Sequence, residues 1–505
     1  MFCYPEDIIV IPFVVAIATG LDHRVFLQRA YYTETNGQMT GRQDMSKTHD
    51  VIIIGGGSAG YAAARTAQEA GADVAVVDQG PLGGLCILRG CMPTKAILRS
   101  AEMAALFRRS TEFGFPPVEV GADLSAIVDR KNRLVREFAD YRIQQLRDPK
   151  YTLYQSRATF RSPHEIVVGQ TVLSARSFII ATGSLPCDMP VPGLDECGYL
   201  TSDSILDLRV QPGSLVVLGG GPVAVEFGQF FARLGTRVTI IQRGGTVLSQ
   251  MDEDVGRALE AALREDGVEI VTDAELLGVS LEDGRKSVRV KQQGREYVFA
   301  GEEILQALGR RPNISGLALE AAGVKVEGGQ IIIDEAMRTS QSHIYAVGDV
   351  NDLSPIVHLA IQQGEVAGYN ATHPDQPSKE IDHRLDAEVV FTDPQVAVVG
   401  LNERTCRANG LPYLAASHPF ADHGKALCRG DLHGFVKLLA APSNGRVLGA
   451  QIVGPEAGEL IHELIAVMFY GGTASDLLRI PHYHPTLAEI VTYPAESLVE
   501  QLGAT

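Results

Sequence analysis

Twice along the chain a short β-branched run breaks into glycines and then gives way to residues of helical character. The first reads Asp50-Val-Ile-Ile-Ile-Gly-Gly-Gly-Ser-Ala-Gly60 and leads into an alanine-rich stretch. The second begins at Ser214 and reads Leu215-Val-Val-Leu-Gly-Gly-Gly-Pro-Val-Ala-Val-Glu226. Each predicts strand, tight turn and helix, and each is followed by another strand, Asp73 to Val77 and Arg237 to Ile241. From about Ala387 the pattern changes to short strands parted by Asp-Pro, Asn-Gly and His-Gly turns, among them Phe435 to Leu439 and Val447 to Val453, with helical segments after them.

The two glycine turns carry chemistry. Gly55, Gly57 and Gly60 fit G-x-G-x-x-G: the first turns the chain, the second admits a diphosphate, and the third lets helix pack on strand. The helix start then offers free N–H groups to phosphate. Asp78, at the end of the following strand, stands where a carboxylate grips a ribose hydroxyl. Gly219, Gly221 and Ala224 form the second fingerprint, with alanine at the packing position. Where an NAD site places its ribose-binding acid, this chain has Gln242 and Arg243, and an arginine there pairs with a 2′-phosphate, which favours NADP. Two dinucleotide folds in one chain is the arithmetic of a flavoprotein exchanging electrons with a nicotinamide.

Between the two fingerprints lies Gly83-Gly84-Leu85-Cys86-Ile87-Leu88-Arg89-Gly90-Cys91-Met92-Pro93-Thr94-Lys95. Four residues separate the cysteines, enough for one helical turn, so the sulfurs can come within bonding distance and form a reversible disulfide. A zinc site would ask for a second cysteine or histidine pair nearby, and this stretch has none, so no metal site is expected. Two small buried residues are the plainer reading of the pair taken alone.

This segment resembles the active-site signature of the class I pyridine nucleotide-disulfide oxidoreductases, the family of dihydrolipoyl dehydrogenase, glutathione reductase and mercuric reductase. The likeness extends over nearly all of the chain beyond its first 46 residues. It implies an α/β protein: two Rossmann-like dinucleotide-binding domains and a C-terminal α+β dimerisation domain. The divisions expected are 47–194 for the first part of the FAD domain, 195–318 for the NAD(P) domain, 319–385 for the return of the FAD domain and 386–505 for dimerisation.

The resemblance also implies roles. Cys86 exchanges with substrate, Cys91 sits against the flavin, and Lys95 contacts the flavin while pairing with Glu226. A neighbouring ammonium lowers a thiol pKa, which suits a thiolate at Cys91. Phe178-Ile-Ile-Ala-Thr-Gly-Ser184, with Thr182 and Gly183, resembles the family's strand leaving the FAD domain, and Leu308-Gly-Arg-Arg-Pro-Asn313, with Gly309, resembles its partner. In Ile344-Tyr-Ala-Val-Gly-Asp349, Gly348 and Asp349 are implied to hold FAD, and a helix from about His358 carrying Gln362 and Gln363 closes over it. In His482-Tyr-His-Pro-Thr-Leu-Ala-Glu489, His484 is the implied base and Glu489 its orienter, the histidine reaching across to the other subunit's disulfide. His482 is expected to point to the opposite face of an extended segment.

Composition narrows the function without deciding it. A formal charge of −17 leaves no basic footprint for nucleic acid or anionic lipid, and neither is an expected partner. Seven cysteines in 505 residues are no secreted disulfide framework, so a cytoplasmic protein is expected. The apolar stretch Ile8 to Gly20 follows Glu6 and Asp7 where a signal peptide would be positive, and is too short to span a bilayer. Residues 1 to about 46 read as a tail, or as sequence upstream of a start at Met39 or Met45.

The function expected is electron transfer between a nicotinamide and a small dithiol or disulfide through FAD, closest to dihydrolipoyl dehydrogenase. A homodimer and a lipoyl-bearing carrier protein are the partners that reading implies, although dihydrolipoyl dehydrogenases usually use NAD. Mercuric reductase-like metal-ion reduction ranks second, because such enzymes usually carry a C-terminal cysteine pair and no cysteine follows Cys428. A catalytically idle flavin-binding interaction protein ranks third, since the cysteines, lysine and histidine are all in place.

Overall fold

The computed structural model describes residues 47–503; the expected tail and the apolar stretch Ile8 to Gly20 lie outside them. The chain opens with β1 (Lys47–Ile54), α1 (Ser58–Glu69), β2 (Val74–Val77), α2 (Gly84–Arg89), α3 (Cys91–Arg108), α4 (Leu124–Leu146) and β3 (Tyr151–Tyr154). Then come β4 (Ala158–Ser162), β5 (Glu165–Val168), β6 (Thr171–Ile180) and β7 (Ser184–Pro186). Strands β3, β2, β1 and β6 lie side by side and parallel, the order of a dinucleotide-binding sheet. Both faces of this sheet are buried along Val51–Ile54, Val74–Val77 and Phe178–Ile180, which are apolar at every position rather than alternating. Val51 and Ile53 of β1 face one core with the alanines of α1, while Ile52 and Ile54 face another with Phe160 and Phe178.

After β7 the chain builds a second sheet from β8 (Ser214–Leu218), α6 (Pro222–Arg233), β9 (Arg237–Ile241), α7 (Glu253–Glu265), β10 (Glu269–Val271) and β14 (Glu303–Gln306), preceded by the short α5 (Leu194–Cys197). The order β10-β9-β8-β14 is parallel throughout. An antiparallel layer of β11 (Ala274–Glu282), β12 (Arg285–Gln292) and β13 (Arg295–Gly301) closes one face through Val288 and Val290. On the other, Phe227, Phe230 and Phe231 of α6 pack under the sheet with Ile97 and Leu98 of α3, so the helix that begins at Cys91 is cemented into both nucleotide domains.

The crossing back uses β15 (Arg310–Pro312), paired antiparallel with β7, then a small hairpin of β16 (Val326–Glu327) and β17 (Gln330–Ile331), and β18 (Ile344–Ala346). Strand β18 joins the first sheet beside β6, in parallel with Phe178 to Ile180. Helix α8 (Val357–Thr372) then lies against α1 at backbone contact: a Cβ on Gly364 would stand 2.2 Å from the Ala59 carbonyl oxygen.

The remaining chain forms a five-stranded antiparallel sheet from β19 (Ala387–Val390), β20 (Gln395–Gly400), β21 (Leu414–Pro419), β22 (Phe435–Ala440) and β23 (Val447–Gly454), in the order β19-β20-β23-β22-β21. Helices α9 (Glu403–Ala408), α10 (Gly424–Arg429), α11 (Ala457–Phe469), α12 (Ala474–Arg479) and α13 (Thr492–Gly503) accompany it. Two buried cations lock this domain to the second sheet's helices. Arg233 meets Asp266 and Asp393 at 2.8 and 2.9 Å, and Lys437 meets Asp252, Asp254 and Glu403 at 2.9, 2.8 and 3.2 Å. Among the described residues no helix is long and apolar enough to cross a membrane.

Candidate active site

The first glycine turn has the geometry its spacing predicts. Gly55 sits at φ +111° with its α-carbon against the Ala181 carbonyl, and a Cβ on Gly60 would stand 1.8 Å from the Gly55 oxygen, so neither position accepts a side chain. Gly57 caps α1 without a side-chain hydrogen bond, and a Cβ there would meet only the Gly84 α-carbon, at 3.8 Å. An open cradle of N–H groups results, and it fits the diphosphate of a dinucleotide. Asp78 spends one bond from each oxygen on backbone: Oδ2 accepts the Gly56 N–H at 2.7 Å and Oδ1 the Gly80 N–H at 2.6 Å. A carboxylate oxygen has a second lone pair, so the bonds that shape the loop leave acceptor capacity for a ribose.

Around the crossing strands the side chains mostly serve each other. The Thr182 hydroxyl donates to the Asn313 carbonyl at 2.8 Å, the Asn313 N–H donates to the Gly183 carbonyl at 2.9 Å, and the Gly309 carbonyl accepts the Cys187 N–H at 3.0 Å. Gly348 donates its N–H to Gln363 at 2.7 Å. Asp349 accepts the Ser184 hydroxyl at 2.6 Å, and Arg310 donates in turn to that hydroxyl at 2.8 Å. Ser184 and Arg310 lie within the two quoted segments but were not singled out by their pattern.

The cysteines do not share one helical turn, as their spacing suggests. Gly90, at φ −123° and ψ −115°, ends α2 and starts α3, so Cys86 comes from one short helix and Cys91 is the first residue of the next. The break folds the chain back tightly, since a Cβ on Gly90 would stand 3.2 Å from the Cys86 α-carbon. The two thiols, both partly buried, lie beside each other across this break. The Cys91 sulfur, together with burial, pushes the Cys86 pKa up. The neighbouring Cys86 thiol, followed by the Lys95 charge, outweighs burial and lowers Cys91 to about 7. The positive end of α3 acts in the same direction.

Lys95, one turn along α3, is held by Glu226 with both carboxylate oxygens at 3.0 Å. It lies over the Phe391 ring, 4.4 Å from the centroid, while Glu226 Oε1 also accepts the Phe391 N–H at 2.8 Å. Ionisation of the reduced pair, followed by thiolate absorbance, is therefore expected near pH 7. In Lys95→Met it should move about one pH unit higher; an unmoved curve would remove Lys95 from the thiolate's support.

In the second glycine turn Gly219 sits at φ +111° against the Ala307 carbonyl, no atom comes within 4 Å of a Cβ built on Gly221, and Ala224 is fully buried. Gln242 takes the position Asp78 has in the first: a Cβ on Gly220 would touch its side chain at 2.9 Å, as one on Gly56 would touch Asp78 at 3.1 Å. The Gln242 amide is occupied with Ser249 at 3.1 Å and Thr246 at 3.3 Å. Arg243 follows it on the surface, with no carboxylate within ion-pair distance among the described residues.

His484 projects from the C-terminal domain with its side chain 78 % exposed, tied back by Nδ1 to Glu489 Oε2 at 3.0 Å. His482 points inward instead, bound to Glu463 at 2.8 Å and to the Ile480 carbonyl at 2.9 Å. Within one chain, among the described residues, no hydrogen bond or ion pair joins His484 to either cysteine. A third histidine enters here unannounced by any motif. His423 is fully buried with Nε2 3.4 Å from Glu489 Oε1, and its His-Gly dipeptide had signalled only a turn. No group of three or more His, Cys, Asp or Glu among the described residues could hold a metal ion.

Residues 49–364 match the family described as pyridine nucleotide-disulphide oxidoreductase, and residues 387–495 match the dimerisation domain of the same family. The chain belongs to this family. Members use FAD and a pyridine nucleotide. Similar chains include enzymes named dihydrolipoyl dehydrogenase and mercuric reductase. A dihydrolipoyl dehydrogenase from Thermus scotoductus is 36% identical over 461 residues, which are 90% of this chain and 98% of that one. A mercuric reductase from Staphylococcus aureus is 33% identical over 443 residues, 87% of this chain and 81% of that one. Among solved structures, the HOCl-induced flavoprotein disulfide reductase RclA from Escherichia coli aligns with a TM-score of 0.78 at 27% identity, covering 88% of this chain and 99% of that one. Its Cu(II) complex aligns at 0.79 and 26%, covering 89% and 99%.

Proposed function

We propose that this family member is a cytoplasmic homodimeric enzyme of the dihydrolipoyl dehydrogenase type, moving electrons between a nicotinamide, NADP in preference to NAD, and a small dithiol or disulfide. The observation that carries the reading is the meeting of Cys86 and Cys91 across the Gly90 break, with Lys95, held by Glu226, one turn along α3. Gly55, Gly57, Gly60 and the start of α1 hold the FAD diphosphate, Asp78 its ribose, and Lys95 its ring. Thr182, Gly183, Gly309, Gly348 and Asp349 line the rest of its length. Gly219, Gly221, Ala224 and Glu226 frame the nicotinamide dinucleotide. Bound FAD supplies two-electron exchange between the thiol pair and the nicotinamide.

With a disulfide as substrate, the Cys86 sulfur attacks one substrate sulfur and releases the other as a thiolate. Cys91 then attacks Cys86, closing the protein disulfide and releasing the second thiolate. His484 of one protomer, steadied by Glu489, supplies or removes the proton at the Cys86 and substrate sulfurs of its partner, since an imidazole titrates near neutral pH. In the opposite direction a dithiol, free or on a lipoyl-bearing carrier protein, reduces the pair by the same exchanges. A cytoplasmic setting, where thiols are kept reduced, suits such a pair.

Metal-ion reduction is the second reading, favoured by relatives named mercuric reductase and by the Cu(II) complex of RclA. Steady-state turnover with NADPH and NADH against lipoamide, glutathione disulfide and mercuric ion separates the two. Disulfide turnover is expected; activity with mercuric ion and none with either disulfide overturns the proposal. The exposed Arg243, next to Gln242 at the end of β9, is the basis for the NADP preference. Arg243→Ala should weaken NADPH use by about tenfold or more, the worth of a charge-assisted phosphate contact, and leave NADH unchanged. Equal losses with both cofactors would exclude a 2′-phosphate contact.

A further inference from the structure

We infer that His423 is a positioning residue for the acid/base pair, anchoring the Glu489 carboxylate from behind while Glu489 orients His484. The inference deepens the proposed function and rests on it. Glu489 lies in the short turn Ala488–Val491 with its side chain 12 % exposed. Its two oxygens face two different imidazoles: Oε2 meets the exposed His484 at 3.0 Å, and Oε1 looks back at His423 Nε2 across 3.4 Å.

His423 sits just ahead of α10, fully buried, and edge-on to the rings of Phe420 and Tyr493 at 6.4 and 6.2 Å between centroids. Neither of its ring nitrogens completes a hydrogen bond. A buried polar group without a partner is costly, and a polar ring kept in such a place calls for a use. The charged and titratable groups it faces are Glu489, His418, His484 and Tyr493, and among the described residues Glu489 is the one that brings an acceptor within reach. Burial pushes the His423 pKa down, so the ring is neutral, and its Nε2–H tautomer offers the carboxylate a donor rather than a rival cation.

The physical gain is in orientation. A glutamate side chain bound only at a solvent-exposed imidazole retains rotamer freedom, and its partner ring shares that freedom. A second contact on Oε1, from a ring that packing does not allow to move, narrows the carboxylate to the one placement that directs Oε2 at His484 Nδ1. Closing 3.4 Å to hydrogen-bond length needs only a few tenths of an ångström from the carboxylate, so the anchor tightens as positive charge develops on His484.

The test compares nitrogen-free and amide replacements in the FAD-loaded dimer. His423→Phe and His423→Leu should keep flavin content and melting temperature near the parent's, lower kcat for disulfide turnover by about tenfold, and leave the nicotinamide KM unchanged. His423→Gln, which can still donate to Oε1, should recover most of kcat. Placed in a His484→Ala background, His423→Phe should have no further effect, because the two act through one carboxylate. Full kcat in both nitrogen-free variants overturns the inference, and so does an equal fractional loss in the His484→Ala background. If His484→Ala itself turns over like the parent, the acid/base reading falls first and takes this inference with it.

Discussion

Replacing Cys86 with serine is expected to leave the protein folded and its FAD bound while disulfide turnover falls by about a thousandfold or more, the scale on which losing a nucleophile is felt. A serine hydroxyl is somewhat smaller than the thiol but keeps a polar O–H beside the Cys91 sulfur. The main cause of the lowered Cys91 pKa is therefore kept. Lost are a sulfur able to attack a substrate disulfide and any means of closing a protein disulfide with Cys91. The variant should thus retain a thiolate at Cys91, visible as long-wavelength absorbance against the flavin, and be unable to use it. Parental turnover in Cys86→Ser would remove the thiol mechanism altogether.

The second large effect concerns two chains at once. His484→Ala should reduce turnover by about a hundredfold to ten-thousandfold, the usual contribution of a placed acid/base. If each His484 serves the other protomer's cysteines, a hybrid dimer of one Cys86→Ser chain and one His484→Ala chain contains one site with both groups intact. The intact cysteines of the His484→Ala chain meet the intact histidine of the Cys86→Ser chain. Such a hybrid, isolated with two different affinity tags, should recover about half of the parental activity, one of its two symmetry-related sites being complete. Were the site built within a single chain, the hybrid would be as inactive as either parent variant. The geometry favours the first outcome: His484 stands 78 % exposed on the dimerisation domain, and among the described residues its hydrogen-bond partner is its own Glu489.

What could be read from the chain was local. The two glycine turns, the cysteine segment and the His484 to Glu489 stretch are each contiguous; the strand-turn-helix pattern made the first two legible, and resemblance to the family gave the roles of the others. The Lys95–Glu226 ion pair spans 131 residues, and it was anticipated through family resemblance rather than spacing. Spacing alone misjudged the thiol pair, because five steps along the chain is compatible with one turn of helix, and only the backbone angles at Gly90 reveal two helices meeting. His423 was missed for a different reason. Its contact with Glu489 is set by how α10 and α13 pack on the antiparallel sheet, and a His-Gly dipeptide carries no trace of that packing. The primary bonds of Asp78 and Thr182 were likewise hidden, since each is spent on backbone that only the folded chain brings near.

Glu226 takes its third hydrogen bond from the amide of Phe391, the residue directly after β19, whose ring also underlies the Lys95 ammonium. The candidate active site therefore cannot be excised with the nucleotide domains alone. A fragment ending before residue 387 would contain both nucleotide cradles and both cysteines, yet its buried glutamate would lose a ligand and its lysine the aromatic floor beneath it. Gene fusions, domain swaps and minimised versions of this enzyme must carry the C-terminal domain even where quaternary assembly is not wanted.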